Sequence, residues 1–215
     1  MIPLGEWLAS RGARLGLKVA GVVLAVGILG GAAWLWLRAE DSRGLVALAA
    51  SSELVQQADG PQATSEARAR AIDALQSILA QHSRSSAAVQ AAYELGNLQY
   101  QAGDYGAARG AYEIALAKGA AGSLRTLAAS GVGYTWEAQK NYANALTAYE
   151  AVTRAVPPKQ FFFEDALLDL ARAQALAGKP ADAVATYERL LKEAPDTRRA
   201  PDIRARIAEL QGSAK

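Results

Sequence analysis

The sequence predicts an all-α protein, with one N-terminal transmembrane helix followed by a stack of helical hairpins and a C-terminal capping helix. Three observations carry this prediction. Residues 19–37 contain no charged side chain. Further on, Leu75, Tyr112, Tyr149 and Tyr187 recur at spacings of 37, 37 and 38 residues within similar segments. No stretch sustains the two-residue alternation of a half-buried strand.

Composition removes several chemistries. The 215 residues include no cysteine and one histidine, His82. A disulfide scaffold, a zinc–thiolate site, an iron–sulfur cluster, a catalytic cysteine and a lipoprotein anchor all need Cys. The balance of 23 Lys+Arg against 21 Asp+Glu lacks the concentrated basic face that nucleic-acid binding requires. Charge is uneven, however. Arg11, Arg14, Lys18 and Arg38 against Glu6 give residues 1–38 a net +3, and the remainder nets −1.

The run VAGVVLAVGILGGAAWLWL, residues 19–37, is long enough as a helix to cross ~28 Å, close to the ~30 Å hydrocarbon thickness. Lys18 and Arg38 bracket it, and Trp34 and Trp36 mark an interfacial end. A cleaved signal peptide ending at Gly31-Ala32-Ala33 is the competing reading, although it leaves Trp-Leu-Trp-Leu at a mature terminus. The basic flank on the N-terminal side places that terminus in the cytoplasm and the rest across the membrane. The expected organisation is a cytoplasmic basic N-terminus (1–18), a transmembrane helix (19–37), a linker helix and loop (38–64) and a repeat domain (65–212).

Segments 70–83, 107–119, 144–158 and 182–195 each place a small residue four positions before a large one: Ala71 and Leu75, Ala108 and Tyr112, Ala145 and Tyr149, Ala183 and Tyr187. A second helical stretch precedes each of the last three. Gly103-Asp104, Lys140-Asn141 and Gly178-Lys179-Pro180 punctuate the halves with stop–start residues. The earliest copy keeps only its second helix, about 65–81, because Asp59-Gly60-Pro61 interrupts the place of the first. Longer connections are expected at Gly119–Ser123 and Pro157–Gln160. A hairpin cannot bury its apolar face alone, so neighbours stack and the ends need covers. Ile203, Ile207 and Leu210 share one face of Pro201–Leu210 and form one cover; Arg43–Gln57 forms the other.

These residues resemble the tetratricopeptide repeat. Leu95-Gly96, Gly103-Asp104-Tyr105, Ala108 and Tyr112 carry the likeness first. Val132-Gly133, Asn141-Tyr142, Ala145, Tyr149 and Pro157 repeat it, as do Leu170-Ala171, Gly178, Ala183, Tyr187 and Pro195. The resemblance covers about 65–196 and implies a right-handed α-solenoid of about 3.5 repeats. It also implies a concave groove lined by first-helix residues, which here gives Tyr93, Asn97, Tyr100, Tyr134, Glu137, Leu168 and Arg172. Tyr and Arg suit a protein or peptide segment; the alternative is that the tyrosines only pack between helices. Repeats that dock chaperone C-termini use groove lysines, and none accompanies Asn97.

Three further features have competing readings. Phe161, Phe162 and Phe163 either wedge between repeats or form a docking patch for a partner or membrane. Glu164-Asp165, the best candidate carboxylate pair for acid–base work, reads as acids favoured at a helix start. His82 sits in a polar run without a second ligand at metal-like spacing, and reads as solvated or locally bonded. No enzyme site, metal or cofactor is expected.

A basic N-terminus, one span and an exported repeat domain resemble the ancillary subunit family of the SecYEG translocon in bacterial inner membranes. The likeness rests on the anchor 19–37, its Trp-rich exit and Glu40–Ala50. It implies a translocon-associated protein, single-pass with a periplasmic repeat domain, that hands emerging polypeptides to periplasmic chaperones. A structural subunit of another membrane or cell-envelope complex, holding one fixed partner, is the alternative.

Overall fold

Leu75, Tyr112, Tyr149 and Tyr187 occupy equivalent buried places in the computed structural model, which describes residues 11–60 and 62–213. Residues 1–10 of the expected cytoplasmic terminus, and Pro61, lie outside the described residues. Nine helices and no strand are present among the described residues: α1 Arg11–Asp59, α2 Ser65–Gln81, α3 Ala87–Gln101, α4 Tyr105–Ala117, α5 Gly122–Ala138, α6 Tyr142–Ala155, α7 Phe163–Leu176, α8 Pro180–Glu193 and α9 Ala200–Ser213. Each helix packs on its neighbours in sequence, and α3 also touches α1 and α5, so the first helices of successive hairpins line one side.

Turn chemistry ends and restarts the helices within hairpins. Gly103, Lys140 and Gly178 adopt φ of 81°, 58° and 72° and close α3, α5 and α7. At each, the following N–H reaches back five residues: Asp104 to the Gln99 carbonyl, Asn141 to Trp136, and Lys179 to Gln174, all at 2.9 Å. These are Schellman closures, which satisfy the last carbonyls of a helix. Asp104 and Asn141 then cap the next helix, their side chains accepting from Ala107 N at 3.0 Å and Asn144 N at 3.3 Å. Pro180 occupies the first turn of α8, where its missing N–H costs nothing.

Ala71, Ala108, Ala145 and Ala183 are all 0% exposed, which lets the helices of a hairpin approach closely. The large residue four positions on then fills the space between adjacent hairpins. Tyr112 is pressed between α3 and α5: a Cβ on Gly96 would lie 2.5 Å from its ring, and one on Gly131 would lie 2.7 Å away. Tyr149 meets Gly133 in the same way. At the C-terminal end Ile203 and Leu210 are buried and Ile207 packs against the same cluster, so α9 covers α8.

The N-terminal end differs from the expected degenerate repeat. Helix α1 runs unbroken for 49 residues, about 74 Å at ~1.5 Å per residue. Its last turns pair with α2 as a hairpin, so Asp59 ends the first helix of that hairpin, and the Gly60 carbonyl just after it accepts from Ala63 N at 2.9 Å. Gly44, Ser51 and Ala58 are its buried positions, with Ala47, Leu48, Leu54 and Val55 partly buried beside them. That stripe of small residues at seven-residue spacing has neither the Leu-Gly pair nor the aromatic residues that identify the later copies. The expected connection at Gly119–Ser123 is shorter, because Gly122 already opens α5.

Residues 18–39 of α1 are all exposed. Val22, Val23, Leu24, Ile28 and Leu29 are more than 60% exposed. Among the described residues α1 alone is long and apolar enough to cross a membrane.

Candidate functional site

The span and the repeats meet at a polar clamp between α1 and the α2–α3 connection. Asp41 Oδ1 accepts three hydrogen bonds: from Ser86 N and Ser86 Oγ, both at 2.7 Å, and from Ser85 Oγ at 3.1 Å. The Ser86 backbone bond, followed by the two hydroxyls, holds the Asp41 carboxyl below the ordinary carboxylate range. His82 Nδ1 lies 3.0 Å from Glu40 Oε1, so the lone histidine has a long-range partner. Gly44 is needed for this closure, because a Cβ there would collide with the Ser85 side chain.

The concave side is built from α3, α5 and α7. Asn97 accepts from Tyr112 Oη at 2.9 Å, and Tyr93 packs on Tyr112 with ring centres 6.0 Å apart. Tyr100 instead stacks on Tyr105 at 5.2 Å, beside the α3–α4 turn. Tyr134, Glu137 and Arg172 come together. Arg172 donates to Glu137 Oε1 through Nη1 and to Asp169 Oδ1 through Nη2, both at 2.7 Å. Tyr134 donates to Asp169 Oδ2 at 2.6 Å, and Tyr149 donates to Glu137 Oε2 at 2.9 Å. Each carboxylate therefore receives one phenol and one arm of the same guanidinium.

Burial sets the electrostatics of this network. The side chains of Glu137 and Asp169 are 13% and 14% exposed, whereas Arg172 is 41% exposed and covers them from the groove side. Desolvation pushes the Asp169 pKa up, although Tyr134 and Arg172 pull against it. For Arg172 burial opposes the charge, but Glu137 and Asp169 outweigh it and the pKa rises. Tyr134 and Tyr149 are raised by burial first and then by the carboxylates they face, so both stay protonated donors. Glu94, half-buried on α3, is raised by burial, against a hydrogen bond from Asn97, and the Asp59 charge adds to the rise.

Leu168 lies next to this network and lines a cleft of about 410 Å³ with Asp169, Arg172, Tyr187, Arg199 and Ile203. Arg199 donates to Asp165 at 2.5 Å, and Thr197 to Glu164 Oε2 at 2.7 Å. Both acids of the α7 start therefore hold the α8–α9 connection in place. Sequence reasoning missed Asp169 and the polar role of Tyr149. Asp169 lies three residues before Arg172, the spacing that places both on one helix face.

The phenylalanine triplet divides. Phe163 is 2% exposed and belongs to the core with Val152, Val156 and Leu167. Phe162 is partly buried against that core, and Phe161 is 87% exposed, standing edge-on to Phe162 at 5.0 Å. Phe163 is therefore no part of a surface patch, because the first turn of α7 points it inward.

Two family profiles, both described as tetratricopeptide repeat, match the chain, one over residues 65–123 and 93–160 and the other over 137–207. It is a tetratricopeptide repeat protein. Solved structures agree on the fold. A Podosopora anserina putative kinesin light chain with nearly identical TPR-like repeats is 15% identical, over 81% of this chain and 87% of that one, with a TM-score of 0.62. MamA AMB-1 is 17% identical over 81% and 84%, with a TM-score of 0.54. Another MamA structure is 21% identical with a TM-score of 0.50; it covers 59% of this chain, which spans 63% of that protein. At these identities the likeness concerns fold alone. No curated protein matches the chain. The family matches begin at residue 65, so α1 lies outside them.

Proposed function

We propose that this protein is a membrane-anchored tetratricopeptide scaffold that binds protein or peptide segments on the exported side of a bacterial inner membrane. It acts by holding a partner rather than by catalysis, and its place is at the translocon, receiving emerging polypeptides or passing them to periplasmic chaperones. One observation carries the anchored reading: the exposed apolar run and the first helix of the first hairpin are a single helix, α1. The concave face supports the binding role. Tyr93, Asn97, Tyr100, Tyr134, Glu137, Leu168 and Arg172 are all partly exposed along it, offering aromatic area, an amide and a guanidinium to a chain lying in the groove.

Crosslinking in native membranes followed by mass spectrometry tests this reading. Sec subunits together with diverse nascent chains are expected. A single stoichiometric partner instead supports a fixed subunit of another envelope complex, a reading favoured by the clamp of Asp41 on Ser86, which holds the repeats in one geometry on their anchor. A reporter fused to the C-terminus and active only outside the cytoplasm tests the topology; activity confined to the cytoplasm overturns it.

A further inference from the structure

Helices in the stack alternate in direction, so the connections between hairpins all fall on one edge and the turns within hairpins on the other. Helix α1 enters the stack at the first of these edges. Glu40 and Asp41 meet the α2–α3 connection there, and the guanidinium of Arg84 in that connection lies 5.5 Å over the ring of Trp36. The remaining connections continue from that point. Lys118, after α4, donates to the Ser83 carbonyl at 2.6 Å. The adjoining ends of α4 and α5 and the α6–α7 connection line a pocket of about 710 Å³ whose wall includes Phe161, and Phe161 also borders the α8–α9 connection.

This edge is mixed in charge, and among the described residues Arg84 and Lys159 form no ion pair. Its four connections, residues 82–86, 118–121, 156–162 and 194–199, carry Arg84, Lys118, Lys159, Arg198 and Arg199 with Asp196; Arg199 is paired with Asp165, and Glu40, Asp41, Glu164 and Glu193 border the same edge. They also carry Phe161, a large apolar side chain that is 87% exposed. Cations beside an exposed aromatic ring, continuous with the tryptophans of an apolar helix, match the order of a bilayer surface, where phosphates lie just outside the acyl boundary. We infer that the edge formed by the inter-hairpin connections rests on an anionic phospholipid surface, with Phe161 at the acyl boundary and Arg84 and Lys159 among the headgroup phosphates. The contact leaves the concave face of the repeats open along the membrane surface. The inference rests on the anchor proposed above.

The absence of cysteine makes the test direct. Phe161→Cys places a unique thiol on the proposed contact, and Ala143→Cys places one at an exposed position by the opposite edge. Both side chains are exposed, so a nitroxide label disturbs no packing. The full chain is reconstituted into nanodiscs of phosphatidylcholine alone or mixed equally with phosphatidylglycerol. In the mixed discs the label at 161 is expected to relax several-fold more strongly with lipid-soluble oxygen than with a water-soluble nickel chelate. The label at 143 is expected to show the reverse. Arg84→Glu combined with Lys159→Glu is expected to move the label at 161 toward the pattern of 143.

A label at 161 that is as open to the nickel chelate as that at 143, in protein retained by the discs through an alkaline wash, overturns the inference and leaves the anchor standing. Equal lipid contact in both disc types overturns the assignment to an anionic surface. Shielding from both reagents overturns it in favour of a protein occupant. Protein released by the alkaline wash overturns the anchor, and the inference with it.

Discussion

The ring of Tyr112 rests on the bare α-carbon of Gly96, where an added Cβ would lie 2.5 Å from Cε1. The aromatic side chain of α4 thereby uses the missing side chain of its hairpin partner as its seat. Because the other edge of the ring, Cε2 and Cδ2, meets Gly131, it has no room to withdraw. Gly96→Ala is expected to lower stability by about 1–3 kcal/mol, the usual cost of overpacking, despite the better helix propensity of alanine. Thermal unfolding followed by circular dichroism checks this, and an unchanged or raised Tm would contradict the packing.

At Lys140 the same turn that glycine serves elsewhere holds a side chain at φ 58°. Its equivalents Gly103 and Gly178 adopt the conformation without strain. Lys140→Gly is expected to stabilise the fold by about 0.5–1 kcal/mol, the left-handed strain relieved less the extra freedom of an unfolded glycine. A Tm that falls would show that the lysine makes a compensating contact.

Phe161 and Phe163, two residues apart, should respond oppositely. Phe163→Ala empties a core position and is expected to cost about 3–5 kcal/mol. Phe161→Ser removes an exposed ring and should stay within about 0.5 kcal/mol of the parent. Denaturant titration distinguishes them, and equal losses would mean that Phe161 is packed.

Arg172 covers two carboxylates that are more buried than itself. Arg172→Met leaves Asp169 with the Tyr134 phenol and without the guanidinium that pulls its raised pKa down, so Asp169 should bind a proton more readily. Folded-state pKa values that rise above the unfolded values give stability at low pH that is lost as pH increases through them. The penalty of the substitution should therefore be larger at pH 7 than near pH 4, and no more than about 3 kcal/mol given the exposure of the guanidinium. A penalty independent of pH would remove Asp169 from the account.

Asp41 has the opposite sign. Its folded-state pKa is lowered by the bond from Ser86 N, with the hydroxyls of Ser86 and Ser85 adding to it. The stability it supplies is complete above the ordinary Asp value of about 4 and is lost as pH falls through the lower folded value. Asp41→Ala should accordingly raise amide exchange at Ser85–Ala88 at neutral pH. The difference from the parent protein should shrink under acid conditions, and its persistence there would place the anchoring elsewhere.

The repeated hairpins were legible because their information is local. An alanine, an aromatic residue four positions later and a turn former a fixed distance away specify a hairpin, and Ala108, Tyr112 and Gly103 occupy in the structure the places their spacing implies. The apolar run of 19–37 is read the same way, from consecutive residues. Tertiary structure decided everything that depends on which distant residues meet. Only packing against α2 and α3 shows that the end of α1 covers the first repeat through the small residues Gly44, Ser51 and Ala58. The pairing of His82 with Glu40 joins residues 42 apart in sequence, and that of Arg172 with Glu137 joins residues 35 apart. The phenylalanine triplet makes the limit plain: three identical side chains in a row differ only in direction, and the first turn of α7 decides which one is buried. Helical periodicity and turn propensity are properties of a short stretch of chain, whereas burial and charge pairing exist only after the stack has closed.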